Sequence, residues 1–171
     1  LVTLAGDGFS VTLTSHGGAI SRLELKNPKF QRELDGKTVA IDLVHVAPGQ
    51  PHPLALAASP ELGGPSDPQL DPAAHASMRV AFRDASRVVF EGRVGNAGLR
   101  KTFRLTGKPY ELALDLEITG APAAGSVSVL YTGFMPPSTS GGSIFSGPPL
   151  EFVRPVCRAG GKTARFDVAG D

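Results

Sequence analysis

A histidine and a carboxylate held across a groove can pass a proton on and off a ring oxygen and its hydroxyl, the chemistry of a sugar epimerase. His45 and Glu151 are the pair in this chain suited to that task. The plainer reading of His45 is a strand histidine whose ring is partly covered and hydrogen-bonded locally. His16 borders a glycine pair, and His52 and His75 lie in a proline-rich stretch, so all three read as solvated loop residues before they read as ligands. The run Ser138-Thr139-Ser140-Gly141-Gly142-Ser143 offers turned backbone amides to an anion, although such runs more often serve as connections. Cys157 is the single cysteine, cannot close an internal disulfide, and reads as a small buried hydrophobe. No phosphate-binding glycine motif, zinc-ligand pair or Gly-x-Ser-x-Gly elbow occurs. On these grounds no residue is assigned a catalytic, cofactor-binding or metal-binding role, and the chain reads as no enzyme and as needing no cofactor.

The elements that would position these residues are strands. Leu99, Phe103 and Leu105, then Tyr110, Leu112, Leu114, Leu116 and Ile118, recur with a period of two around a turn at Gly107-Lys108-Pro109, which predicts a half-buried antiparallel hairpin. Lys101 alone breaks the inward series. Arg100, Thr102 and Arg104 face outward on the first strand and Glu111, Asp115 and Glu117 on the second, an arrangement suited to cross-strand charge pairing. Arg79, Arg83, Arg87 and Arg93 alternate in the same way and read as solvent-facing sheet positions rather than as a basic patch.

Phe9, Val11 and Leu13 alternate with polar residues into His16-Gly17-Gly18, which predicts a tight turn and a second strand from Ala19 to Leu25. Val39, Ile41 and Leu43 on one side, with Val44 and Val46 on the other, predict a strand covered on both faces and central in its sheet. Seven prolines between 47 and 76 remove ladder donors and break helices, so this stretch is expected to be a long loop, with a short helical or extended piece near 54–58. Strands resume at Met78, Val80 and Phe82, at Val88-Val89-Phe90, and at Val127, Val129 and Tyr131. A loop is expected over 136–149, an edge piece at Leu150, Phe152 and Val153, and a last strand over 164–168. Apolar residues nowhere recur at helical spacing across three turns. The expected fold is all-β, two antiparallel sheets packed face to face with few or no helices.

At 171 residues the chain reads as a single domain, 1–171, with its proline-rich loop at 47–76. Seventeen basic against sixteen acidic residues leave a formal charge of +1, which offers no field for nucleic acid to follow. No run of 18 apolar residues is present. An opening on Leu1 rather than methionine suits a piece of a longer protein.

With the strands placed, a resemblance becomes visible. Phe9-Ser10-Val11-Thr12-Leu13-Thr14-Ser15-His16-Gly17-Gly18-Ala19-Ile20 with Leu23-Glu24-Leu25 resembles the opening strand pair of the periplasmic domain of YidC-type membrane protein insertases of Gram-negative bacteria. Lys101-Thr102-Phe103-Arg104-Leu105 and Tyr110 through Ile118 are similar to that domain's middle hairpin, and Gly161-Lys162 with Ala164-Arg165-Phe166-Asp167 to a later strand. The resemblance implies a super-β-sandwich related to galactose mutarotase, on the periplasmic side of the inner membrane, in a multi-pass parent that inserts and folds membrane proteins alone or with the Sec translocon. It also implies SecD/SecF as a partner, nascent membrane proteins as clients of a membrane region outside this chain, and a non-catalytic interaction or spacer role for this domain. The alternative from another class is a carbohydrate-binding or mutarotase-like domain, disfavoured by the absence of Trp and the presence of only two Tyr.

Overall fold

The computed structural model describes residues 1–34, 36–132, 156–159 and 162–165. Chain contacts divide it into two compact units, Leu1–Met135 and Pro136–Asp171. The first contains strands β1 (Val2–Ala5), β2 (Phe9–Thr14), β3 (Ala19–Leu25), β4 (Gln31–Leu34), β5 (Lys37–Ala40), β6 (Leu56–Ala58), β7 (Arg79–Arg83), β8 (Arg87–Val94), β9 (Ala97–Leu105), β10 (Leu112–Thr119) and β11 (Val127–Val129). In the second, β12 (Val156–Ala159) and β13 (Lys162–Arg165) form an antiparallel hairpin. The only helical pieces among the described residues are short 3-10 turns, and each opens on a proline: Pro28–Phe30, Pro60–Leu62, Pro68–Leu70 and Pro72–His75. Proline is tolerated there because a first-turn N–H has no intrahelical acceptor.

Two antiparallel sheets make the body of the first unit, one in the order β1-β2-β3 and one in the order β10-β9-β8-β7. Period-two alternation builds both: along β2 buried and half-buried residues alternate without a break, and along β9 Ala97, Leu99, Lys101 and Phe103 point inward. Leu4, Phe9, Val11, Leu13 and Ile20 of the first sheet share one core with Val88, Phe90, Leu99 and Phe103 of the second. Phe90 and Phe103 meet edge to face with ring centres 6.1 Å apart. Each such side chain contributes about 1.5–3 kcal/mol by leaving water, which makes this seam the source of the fold's stability. The expected all-β sandwich is what forms.

Leu56 and Leu62, from the proline-rich stretch, enter the same core. The piece expected near 54–58 is extended: it is β6, paired antiparallel with β11.

The strand expected over 39–46 is not central. Only 37–40 is strand, paired with β4 in a two-stranded ribbon, and beyond it the chain meets β3 through isolated contacts, a bridge between Glu24 and Asp42 and the N–H of Leu43 donating to the carbonyl of Leu23 at 2.8 Å. The Asp42 carboxylate explains the interruption, since its Oδ1 accepts from the backbone N–H groups of Leu23 and Val44, each at 3.0 Å. A side-chain oxygen thereby takes donors that a continuous ladder needs. In the hairpin of β9 and β10, Tyr110 leaves the inward series: it sits in the turn with φ of 57° and is half exposed. Leu116 and Ile118 lie opposite Lys101 and Leu99 as expected, yet remain 38% and 37% exposed. Among the described strands β10 has only β9 as a neighbour.

Candidate functional site

The residue that breaks the inward series of β9 occupies the most unusual position in the first unit. Lys101 is fully buried. Its Nζ donates to the carbonyl of Leu54 at 2.5 Å and to that of Gly17 at 3.2 Å, and stands 5.5 Å from the centre of the Phe103 ring. Among the described residues it forms no ion pair. Burial pushes its amine from the ordinary lysine value down to about 7. The neutral amine has two N–H groups, and two carbonyls receive them.

Both acceptors come from backbone that few residues adopt. Gly17 and Gly18 have φ of 67° and 52°. A Cβ at Gly17 would stand 2.3 Å from the carbonyl oxygen of Ala74, and one at Gly18 2.5 Å from the sulfur of Met78, so the turn needs glycine for conformation and for space. Leu54 is left-handed with φ of 64°, a conformation that costs an L-residue about 1–2 kcal/mol. It is held at both ends: its N–H donates to the carbonyl of Leu130 at 2.8 Å and its carbonyl accepts from Lys101.

A second buried charge fixes the same loop. Asp71 is 3% exposed; its Oδ2 accepts from the N–H of Ala58 at 2.6 Å and its Oδ1 from that of Ala73 at 2.8 Å. It thus caps the Pro72–His75 turn and ties it to β6.

Around this tie the chain gathers three imidazoles from distant segments. The ring centre of His16 lies 6.1 Å from that of His52 and 5.5 Å from that of His75. His52 is half-buried, and its Nδ1 is buried without a hydrogen-bond partner. Burial lowers its pKa, with the charges of His16 and His75 acting in the same direction and the Ile20 backbone opposing them. Among the described residues no group of three or more His, Cys, Asp or Glu is placed to hold a metal ion. Lys101 is sealed from solvent, so no substrate reaches its amine. What the arrangement does chemically is satisfy buried carbonyls and bind protons.

Set against known proteins, the chain matches no family profile and no solved structure. Curated sequences do match it. The membrane protein insertase YidC of Anaeromyxobacter dehalogenans strain 2CP-C is 62% identical over 168 residues, 98% of this chain and 31% of its own length. That of Anaeromyxobacter sp. strain K is 61% identical over the same shares, and that of strain Fw109-5 is 60% identical over 172 residues, 99% of this chain and 31% of its own length. The chain is homologous to part of the YidC insertases. It spans about a third of those relatives, and a mutarotase-like relation of the fold rests on the resemblance alone.

Against that YidC homology, the residues first considered for proton chemistry disperse. His45 is exposed and lies outside any strand, since β5 ends at Ala40 and only isolated bridge positions follow it, at Asp42 and Val44. Glu151, the run from Ser138 to Ser143, the loop over 136–149 and the edge piece at Leu150, Phe152 and Val153 fall outside the described residues. Cys157 is on β12. Arg79, Arg83, Arg87, Arg93, Arg100 and Arg104 are exposed, as expected: Arg79 and Arg100 both engage Glu91, Arg87 engages Asp84, and Arg104 reaches Asp115 at 3.7 Å. His16, His52 and His75, expected to be separate solvated loop residues, are instead neighbours. Their convergence leaves no local mark in the sequence, since they stand 36 and 23 positions apart. Lys101 did leave one, as a charge at an inward position of an otherwise apolar strand face.

Proposed function

We propose that this chain is the periplasmic domain of a YidC-type membrane protein insertase, and that it serves the parent as a non-catalytic interaction or spacer module. The observation carrying this reading is identity of 60–62% to insertases over at least 98% of the chain. The fold is compatible with it, because no helix among the described residues is long and apolar enough to cross a membrane. Insertion of nascent membrane segments, alone or beside the Sec translocon, then belongs to the remainder of the parent in the bacterial inner membrane. SecD/SecF is the partner this reading nominates for the domain. The buried amine suits a structural part: it stabilises a turn and a loop instead of facing a substrate. The sugar-epimerase alternative loses its histidine, since His45 is exposed and off the sheet.

The reading is tested in the full-length parent. In a Cys157→Ser background, Arg100→Cys on the outer sheet face is expected to react with a membrane-impermeant maleimide in intact spheroplasts. Removal of residues 1–171 is expected to leave insertion of a Sec-independent reporter largely intact. Labelling seen only after the inner membrane is lysed, or insertion abolished by Lys101→Met in a domain that still folds, contradicts it.

A further inference from the structure

Two parts of the proline-rich segment 47–76, around His52 and at its C-terminal end, are hydrogen-bonded to the stretch 17–20, and a histidine stands beside each of these two contacts. The N–H of Ile20 donates to the carbonyl of Pro53 at 3.0 Å, next to His52, and the N–H of Ala55 to the carbonyl of His52 itself at 3.0 Å. The N–H of Gly17, next to His16, donates to the carbonyl of Ala76, next to His75, at 2.8 Å. A bridge between His16 and Ser77 continues that contact. The three rings meet at 5.5 and 6.1 Å, the distances at which two imidazolium charges disfavour one another.

Segments 47–55, 72–78 and 130–132 contain no carboxylate, the turn at 15–18 contains none, and Tyr131 is their one other titratable group. Asp71, beside Pro72, has each carboxylate oxygen occupied by a backbone N–H. From β9 the facing group is Lys101, whose Nζ reaches the carbonyl of Gly17 and adds positive charge when protonated. A neutral His52 is compatible with this contact, and a charged one, half-buried beside His16 and His75, opposes it.

We propose that His52, set against His16 and His75, is a proton-operated latch, which holds residues 52–55 against the turn at 15–20 when neutral and loosens that contact as acid charges its ring. The direction follows from linkage. His52 binds its proton less readily in the closed state, so the open state takes up protons first as pH falls below the ordinary histidine value, and closure weakens from there downward. The inference does not depend on the insertase reading, because it concerns only this chain.

Amide hydrogen exchange on the 171-residue chain, expressed as protection relative to the intrinsic rate at each pH, tests it. Between pH 7.5 and 5.0 the amides of Gly17, Ile20 and Ala55 are expected to lose protection at least tenfold, while those of Phe90 and Phe103 change less than threefold. The triple variant His16→Gln, His52→Asn, His75→Gln is expected to lose this contrast, and His16→Gln alone, at an exposed position, to reduce it. Lys101→Met is expected to keep it. Equal loss at Phe90 and Phe103, an undiminished contrast in the histidine variants, or its disappearance in Lys101→Met overturns the latch.

Discussion

Arg100 and Lys101 are adjacent on β9 and live in different solvents. Arg100 lies on the outer face with its guanidinium 3.6 Å from Glu91, an ion pair open to water that contributes between nothing and about 1 kcal/mol. Lys101 turns the other way, into a core where no carboxylate among the described residues pairs with it and burial makes its charge expensive. The outer face of this sheet carries charges that are individually dispensable. The inner face carries an amine whose removal orphans two buried carbonyls and whose retention ties a glycine turn and a left-handed leucine to the sheet. The lesson is that a charge's neighbours, more than its type, decide what it does for this fold.

The contrast is open to attack in order of size. The largest effect comes from pH, because the Lys101 amine falls from its ordinary value of 10.5 in the unfolded chain to about 7 in the folded one. Between those values the unfolded state binds the additional proton, so stability rises with pH through the window and is lost as pH falls from 10.5 to 7. Urea unfolding of the wild type minus that of Lys101→Met is expected to change by on the order of 4–5 kcal/mol across it. A flat difference contradicts the burial account. Next, at pH 9, Lys101→Ala is expected to destabilise by about 3–5 kcal/mol through a cavity and two unsatisfied carbonyls, and Lys101→Met by less because it keeps the volume. Equal losses in chemical denaturation would show that packing is irrelevant there.

Gly17→Ala sharpens the same comparison from the acceptor side. Its methyl would press on the Ala74 carbonyl at 2.3 Å in a left-handed residue, and about 2–4 kcal/mol is the expected loss in thermal or urea unfolding. The smallest effect belongs to the outer face. Arg100→Gln leaves Glu91 its contact with Arg79 and is expected to shift stability by less than about 1 kcal/mol, at any pH between 6 and 9. A loss as large as that of Lys101→Ala would erase the distinction between the two faces.

Much of this architecture is legible in residue order, because alternation with a period of two is itself the cause of a half-covered sheet. β2, β3, β8, β9 and most of β10 follow from Phe9-Val11-Leu13, Val88-Phe90 and Leu99-Phe103-Leu105. The failures have physical causes. Residues 39–46 carry a two-sided apolar pattern, but Asp42 diverts the N–H groups that would extend the ladder. Leu116 and Ile118 have the right parity but remain partly exposed, and how far a residue is covered is something periodicity along one strand cannot report. Of the site, Lys101 was visible as an anomaly of parity. Its two acceptors were not, because the carbonyls of Gly17 and Leu54 are brought to it by turns 84 and 47 positions away. The histidine cluster was invisible for the same reason: tertiary closure of the proline-rich segment creates it.

Lys101 is a buried amine that trades its charge for two carbonyls. Selective carbon-13 labelling of lysine, with the Lys101 Cε resonance followed by NMR from pH 5 to 11, measures this directly. A midpoint near 7, set apart from the exposed lysines, is the predicted result. A midpoint close to 10.5, moving with the exposed lysines, would show an amine in contact with water and contradict the account.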